Sequence, residues 1–298
     1  MKNSSYLFVE EDKRGRFFVI ICKGVTLLSV SLLFFMFLFI AKESLIFFQN
    51  TPLRAFLTGQ RWNPLATPPA FGLAPMIAAT VYVSVLATAI AFPIGVGVAT
   101  FLSVLAGNKL PNICLPLIDL MAGIPSVVYG FAGLLIIVKF FETHFSFSSG
   151  ESILAGGILL SVMILPYIIS TCHESATKIL RRYKHVSTAL GVSRWHMIRY
   201  LLFPSMSKAL FSALILSFSR AMGETMAVMM VIGNSPIFPK LLHKAQTIPG
   251  LIALEMGGAH VGSPHYRALF AAGFVLMFVL FVFNTLFFII EKSLEGDA

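Results

Sequence analysis

The feature that most constrains this chain is a series of six apolar windows, at 17–40, 76–105, 113–138, 153–172, 209–232 and 268–290, each long enough to cross a bilayer. A spanning helix needs roughly 20 apolar residues. In hydrocarbon every backbone N–H and C=O must be paired within the chain, so helices and closed barrels alone are viable. With 57% of 298 residues hydrophobic, 12% charged and a mean hydropathy of +0.86, the apolar surface exceeds what one soluble core can bury. The predicted fold class is all-α: a polytopic membrane protein with six transmembrane helices.

Six spans put both termini on one side. With the N-terminus inside, the inner segments carry 14 Lys and Arg and the outer ones 7, Arg220 being set aside. The positive-inside rule then predicts cytoplasmic termini. The N-terminus leads into the first window without a small-residue cleavage site, which predicts an uncleaved first helix. Cys22, Cys114 and Cys172 lie in or beside apolar runs with neither a disulfide framework nor a CxxC pattern, and His243, His260 and His265 lack HExxH spacing. No metal is expected.

Between the first two windows, a Pro- and Gly-rich stretch reads as an ordered extracytoplasmic connection with Trp62 and Phe71 as membrane-interface anchors. The second window is interrupted by Pro93, Gly95 and Gly97. In the third, Gly123-Ile124-Pro125-Ser126 breaks the helical pattern, followed by Gly130 and Gly133. Broken helices at membrane depth are tolerated where they line a cavity, which makes Ser126 and Tyr129 candidate pathway residues. Tight packing around a kink is the other reading of the same break. Asp119 reads as structural, near the inner interface. Between the last two windows, the run TIPGLIALEMG is apolar enough to re-enter the membrane in part.

The longest hydrophilic stretch, 173–204, has a helical period on both sides of Gly191. Leu190, Met197, Leu201 and Leu202 give an apolar side and Arg194, His196 and Arg199 a polar one. A helix, a glycine break and a second amphipathic helix on the cytoplasmic face suit docking into a partner's groove or lying among headgroups.

The fifth window carries Arg220 and Glu224. A charge at membrane depth costs about 2.5–3.5 kcal/mol on insertion scales, so such a pair marks a functional site by default. Spaced four apart, the two are predicted to share one helix face.

The stretch around Gly191 resembles the cytoplasmic signature of ATP-binding-cassette importer permeases, E-A-A-x-x-x-G followed by Leu and Pro. Here it reads His185-Val186-Ser187, Gly191, then Leu201, Phe203 and Pro204, with the opening Glu-Ala replaced by His-Val. Three further segments resemble the phosphate-specific permease of the PstC type: Trp62-Asn63-Pro64 with Phe71-Gly72, Ile124-Pro125-Ser126-Val127-Val128-Tyr129-Gly130, and Arg220-Ala221-Met222-Gly223-Glu224-Thr225.

The resemblance implies a type I importer permease fold. It divides the chain into a cytoplasmic N-terminal segment, 1–16, a transmembrane permease domain, 17–291, with a coupling element at 173–204, and a cytoplasmic tail, 292–298. It implies a non-catalytic subunit in the cytoplasmic (inner) membrane. The expected partners are a sister permease, two copies of an ATP-binding subunit and an extracytoplasmic phosphate-binding protein. No G-x-x-x-x-G-K-[ST] loop occurs, so ATP is expected on the partner and no cofactor here. Arg220, Glu224, Ser126 and Tyr129 become substrate-pathway residues; His185, Ser187, Gly191, Arg194 and Pro204 become ATPase-coupling residues.

In this reading Arg220 grips the anion and Glu224 holds the guanidinium in place. A salt bridge that only pins the helix is the bland alternative. Other readings are a permease for sulfate, molybdate or phosphonate, the sister phosphate permease, and a membrane-embedded enzyme, for which no metal-spaced carboxylate or histidine cluster is present.

Overall fold

A computed structural model describes residues 13–107, 109–145 and 149–296. The N-terminal segment before residue 13, the last two residues of the expected tail and the side chain of His185 lie outside what is described. Helix α1 (Lys13–Asn50) leads to the short α2 (Leu53–Thr58) and to a hairpin of β1 (Trp62–Asn63) and β2 (Ala70–Phe71), with Trp62 opposite Phe71. Helix α3 (Ala74–Thr100) continues through a π-helical turn, Phe101–Leu105. Next come α4 (Lys109–Ala122), α5 (Ser126–Gly133), a second π-helical turn (Leu134–Val138) and α6 (Lys139–Phe145). Helix α7 (Ile153–Ala189) is followed by α8 (Arg194–Met197), a π-helical turn (Ile198–Leu202) and α9 (Phe203–Ser205). Then follow α10 (Ser207–Gly223), α11 (Met226–Ile232), α12 (Ile248–Glu255) and α13 (Pro264–Gly296).

Among the described residues, five helices are long and apolar enough to cross a membrane: Phe18–Asn50, Ala74–Leu105, Ser126–Phe145, Ile153–Tyr183 and Pro264–Ile290. A sixth span is the pair Arg194–Ser205 and Ser207–Gly223, bent by 64°. Two expected windows are redrawn. The third has its membrane-length helix over Ser126–Phe145 and not 113–138. It breaks at 123–125 as expected, because Pro125 has no N–H to donate and disfavours a helical Ile124 before it. The chain therefore turns at 123–125 and restarts at Ser126, where Pro125 takes φ −58°, ψ 138°. The fifth does not reach 232 as one helix. It ends at Gly223, Glu224 is extended (φ −71°, ψ 126°), and α11 starts afresh at Met226.

The centre of the molecule is the contact of α3 with α7. Glycines set how close they come: a Cβ on Gly95 would meet Ile168 Cγ2 at 2.6 Å, and one on Gly157 would meet Leu86 Cδ2 at 2.6 Å. Residue numbers rise together along this contact, so the helices run parallel, as alternate spans must. Lipid tails are as apolar as leucine, so close approach at small residues, more than hydrophobic burial, holds such helices together.

At the end remote from Gly191, α1, α2, the hairpin, α12 and α13 build a separate cap around Phe47, Phe56, Trp62, Leu251 and Leu269, all buried. The connection between the first two spans is thus ordered, but Trp62 is no interface anchor. It is 7% exposed, packs edge-on to Phe71 and Phe56, and donates Nε1–H to Glu255 Oε2 at 2.9 Å. Its polar edge found a carboxylate inside the cap instead of headgroups. Helix α12, from the apolar run expected to re-enter the membrane, buries Ile248 and Leu251 in this same region.

Candidate functional site

Two helices restart after a break, and they lie against each other. A Cβ on Gly130 in α5 would sit 2.7 Å from Met230 Sδ and 3.0 Å from Ala227 Cα, and one on Gly133 would sit 3.0 Å from Val231 Cγ1. The order of these contacts makes α5 and α11 parallel. The breaks before them, at 123–125 and 224–225, therefore fall side by side, and the N-terminal ends of two short helices open on the same region.

Hydrogen bonds fix the first break. The Tyr129 hydroxyl donates to Met121 O at 2.9 Å, and the Tyr167 hydroxyl, from the middle of α7, donates to Ala122 O at 3.3 Å. These carbonyls lie in the last turn of α4; Met121 O also accepts from the Ile124 N–H at 3.3 Å, so the two phenols hold the turn that closes the helix. Ser126 is half-buried at the start of α5. Asp119 accepts from Ser170 Oγ at 3.1 Å and so ties α4 to α7, in agreement with a structural reading.

Arg220 occupies the last turn of α10 and is exposed, with its guanidinium carbon 4.1 Å from the centre of the Tyr167 ring. The expected pairing with Glu224 is not formed. Because the helix stops at Gly223, the two do not share a face, and Glu224 turns its Oε1 towards the Ala227 N–H at 3.4 Å, at the start of α11. A carboxylate at a helix N-terminus is stabilised by the exposed donors there. Among the described residues no carboxylate lies within ion-pair distance of Arg220. An exposed guanidinium at the end of an apolar helix, without an ion-pair partner among the described residues, is suited to a bidentate grip on a tetrahedral oxyanion. Sequence reasoning missed Tyr167; its signal was a lone phenol in the middle of the fourth window, directly after Pro166.

The second candidate region lies at the other end of α7. The helix closes with Gly191 in the left-handed region (φ +64°), and Val192 N–H bonds back to Ser187 O at 3.0 Å, a Schellman cap. Ser193 then caps α8, its hydroxyl accepting from His196 N–H at 3.3 Å. Pro204 sits near the end of the continuous helical stretch Arg194–Ser205, just after the π-helical turn Ile198–Leu202, where its missing N–H removes one helical bond shortly before the bend at Met206. A cavity of about 910 Å³ is bordered by Ser103, Arg181, Ser187, Gly191 and Arg194, so three of the five expected coupling residues meet there. Met197 and Leu202 are buried as expected, but Leu190 is 74% exposed, because it ends α7 and does not join the face of α8. With Val186 and Trp195 it leaves an uncovered apolar surface around Gly191. Among the described residues no group of three or more His, Cys, Asp or Glu could hold a metal ion.

The family described as "binding-protein-dependent transport system inner membrane component" matches residues 91–296. The chain is 37% identical over 275 residues to the probable ABC transporter permease protein YqgH of Bacillus subtilis (strain 168), covering 92% of this chain and 88% of that protein. It is 33% identical over 287 residues to the probable phosphate transport system permease protein PstC of Methanocaldococcus jannaschii, covering 88% and 90%. Against the PstC of Mesorhizobium japonicum it is 32% identical over 248 residues, 76% of this chain and 75% of that one. Among solved structures, a bacterial ABC transporter involved in the import of alginate superposes with a TM-score of 0.63 at 14% identity, covering 93% of this chain and 99% of that one. The inward-facing MetNI methionine ABC transporter gives 0.58 at 15% identity, covering 74% and 95%. At such identities the likeness concerns the fold.

Proposed function

From the premise that the chain belongs to the family of binding-protein-dependent transport system inner membrane components and has the type I importer permease fold, we propose that it moves inorganic phosphate across the cytoplasmic membrane as the permease subunit of an ATP-driven importer. Relatives named as phosphate permeases support the substrate. The observation that carries the chemistry is Arg220, an exposed guanidinium at the end of an apolar helix, without an ion-pair partner among the described residues. Membership of the family implies an ATP-binding subunit and a substrate-binding protein as partners. The finer assembly we infer has a sister permease, two ATP-binding subunits, a phosphate-binding protein on the side of the Trp62 cap, and both termini in the cytoplasm. ATP belongs to the partner.

In this reading the permease domain spans 17–291, and the element at 173–204 receives the ATPase through His185, Ser187, Gly191, Arg194 and Pro204. The uncovered Leu190 and Trp195 support a protein partner at this place, since exposed apolar patches mark interaction sites. Along the pathway Arg220 contacts the anion, and Ser126 and Tyr129 line the α4–α5 break. Glu224 orders the restart of α11 and sets a negative charge near Arg220 that eases release.

The test is phosphate and sulfate uptake by vesicles holding the whole importer with Arg220→Ala or Arg220→Lys, assembly being checked by co-purification. Both variants should assemble, with Ala abolishing uptake and Lys retaining a small part, because an ammonium keeps the charge and loses the fork. Wild-type uptake by an assembled Arg220→Ala importer refutes the anion contact. Sulfate competing as well as phosphate refutes the substrate.

A further inference from the structure

Tyr167 touches the candidate site from the one helix that reaches from it to Gly191. Its ring lies under Arg220 at 4.1 Å, its hydroxyl bonds Ala122 O at the α4–α5 break, and its neighbours Pro166 and Ile168 are buried, which fixes the backbone that carries it. One side chain thus joins α7, α10 and the break.

The way it holds Arg220 matters chemically. A carboxylate partner binds a guanidinium through its N–H edge and occupies two of the five donors. A ring binds through the face and leaves the donors in the plane free. An arginine held by a carboxylate is therefore neutralised and partly filled before any anion arrives; one seated on a ring keeps both charge and fork.

We propose that Tyr167 is the positioning residue that seats Arg220 for recognition of a tetrahedral oxyanion, its ring supporting the cation. This rests on Arg220 being the anion contact. Loss of the ring releases the guanidinium to other rotamers, weakens phosphate affinity and blurs the preference for phosphate over sulfate. Loss of the hydroxyl alone leaves the seat in place.

The experiment is uptake in vesicles with the complete importer, reading half-saturation for phosphate and the phosphate-to-sulfate preference. Tyr167→Leu is expected to raise half-saturation on the order of tenfold and to narrow the preference, while Tyr167→Phe stays within about twofold. Phenylalanine carrying successive ring fluorines at 167 weakens the ring's negative face with little change in shape. Half-saturation should climb step by step along that series, a trend packing alone does not produce. Should the leucine variant fail to assemble, the fluorine series decides. A flat series overturns the proposal even where Arg220→Ala abolishes transport. Wild-type transport by assembled Arg220→Ala removes the anion contact itself, a different failure that the same vesicles distinguish.

Discussion

Replacing Gly130 by alanine probes the contact on which the site is built. A methyl there would stand 2.7 Å from Met230 Sδ and 3.0 Å from Ala227 Cα, where unstrained carbon contacts lie near 3.5–4.0 Å. The methionine thioether is flexible and moves aside; the Ala227 Cα is backbone, so α5 and α11 must part by several tenths of an ångström. Overpacking of this kind costs about 1–3 kcal/mol. A loss near the middle of that range lowers the melting temperature by roughly 3 °C for a chain of 298 residues with ordinary unfolding entropy. Because the breaks at 123–125 and 224–225 ride on these two helices, uptake should fall as well. The assay is thermal melting of the purified importer in lipid nanodiscs, with phosphate uptake measured in parallel. Met230→Ala in the same chain should restore part of the loss, since it frees the sulfur's place but not that of Ala227. A Gly130→Ala importer that melts and transports like the wild type would show that α5 and α11 do not approach as described.

Within α3, Gly95→Ala and Gly97→Ala should part company: Gly95 faces the branched Ile168 at 2.6 Å, whereas nothing lies within 4 Å of a Cβ at Gly97, so the first should lower the melting temperature and the second leave it unchanged or raise it, helix propensity adding up to about 1 kcal/mol of stability. Gly191→Ala meets open space but must keep φ at +64°, which costs about 1–2 kcal/mol; ATP hydrolysis by the assembled importer should persist while uptake per ATP falls, and Gly191→Asn should fall less. In the cap, Trp62→Phe removes the donor to Glu255 Oε2 but leaves His265 Nε2 at 2.7 Å on the same oxygen, so a loss of about 1 kcal/mol is expected, read as faster limited proteolysis of the connection between the first two spans.

Six apolar windows sufficed to read an all-α membrane fold because the bilayer allows few alternatives. The break at Pro125 was legible too, since a proline removes a donor wherever it stands. The break at Glu224 was not. An apolar run through Met229 and Met230 continues the helical pattern past Gly223, and no proline marks the break, although α11 restarts at Met226 against α5. For the same reason Arg220 and Glu224 looked like a pair: four-residue spacing means a shared face only while the helix is unbroken. Trp62 was misplaced because an aromatic residue beside a span is equally suited to a headgroup and to a carboxylate, and Glu255 lies nearly two hundred residues away in sequence.

Tyr167 and Gly191 belong to one helix, and that gives the region its mechanical sense. From Gly191 the chain leaves in two directions. Backward, α7 runs some 22 residues to Tyr167, roughly 33 Å at the helical rise. Forward, α8 and α9 lead through a 64° bend at Met206, which is fully buried, into α10 and on to Arg220. The two arms part at the proposed coupling element and meet again at the 4.1 Å contact of guanidinium and ring. A push on Gly191 that moves both arms as one body leaves that contact unchanged. A push that slides α10 along α7 changes it directly, because each partner is carried by a different arm. Cation–ring attraction falls off over a few ångströms, so even a shift of one helical residue, about 1.5 Å, alters how Arg220 presents its N–H edge. Binding and release of the anion then depend on the relative position of two helices joined at the place where the ATPase is proposed to act.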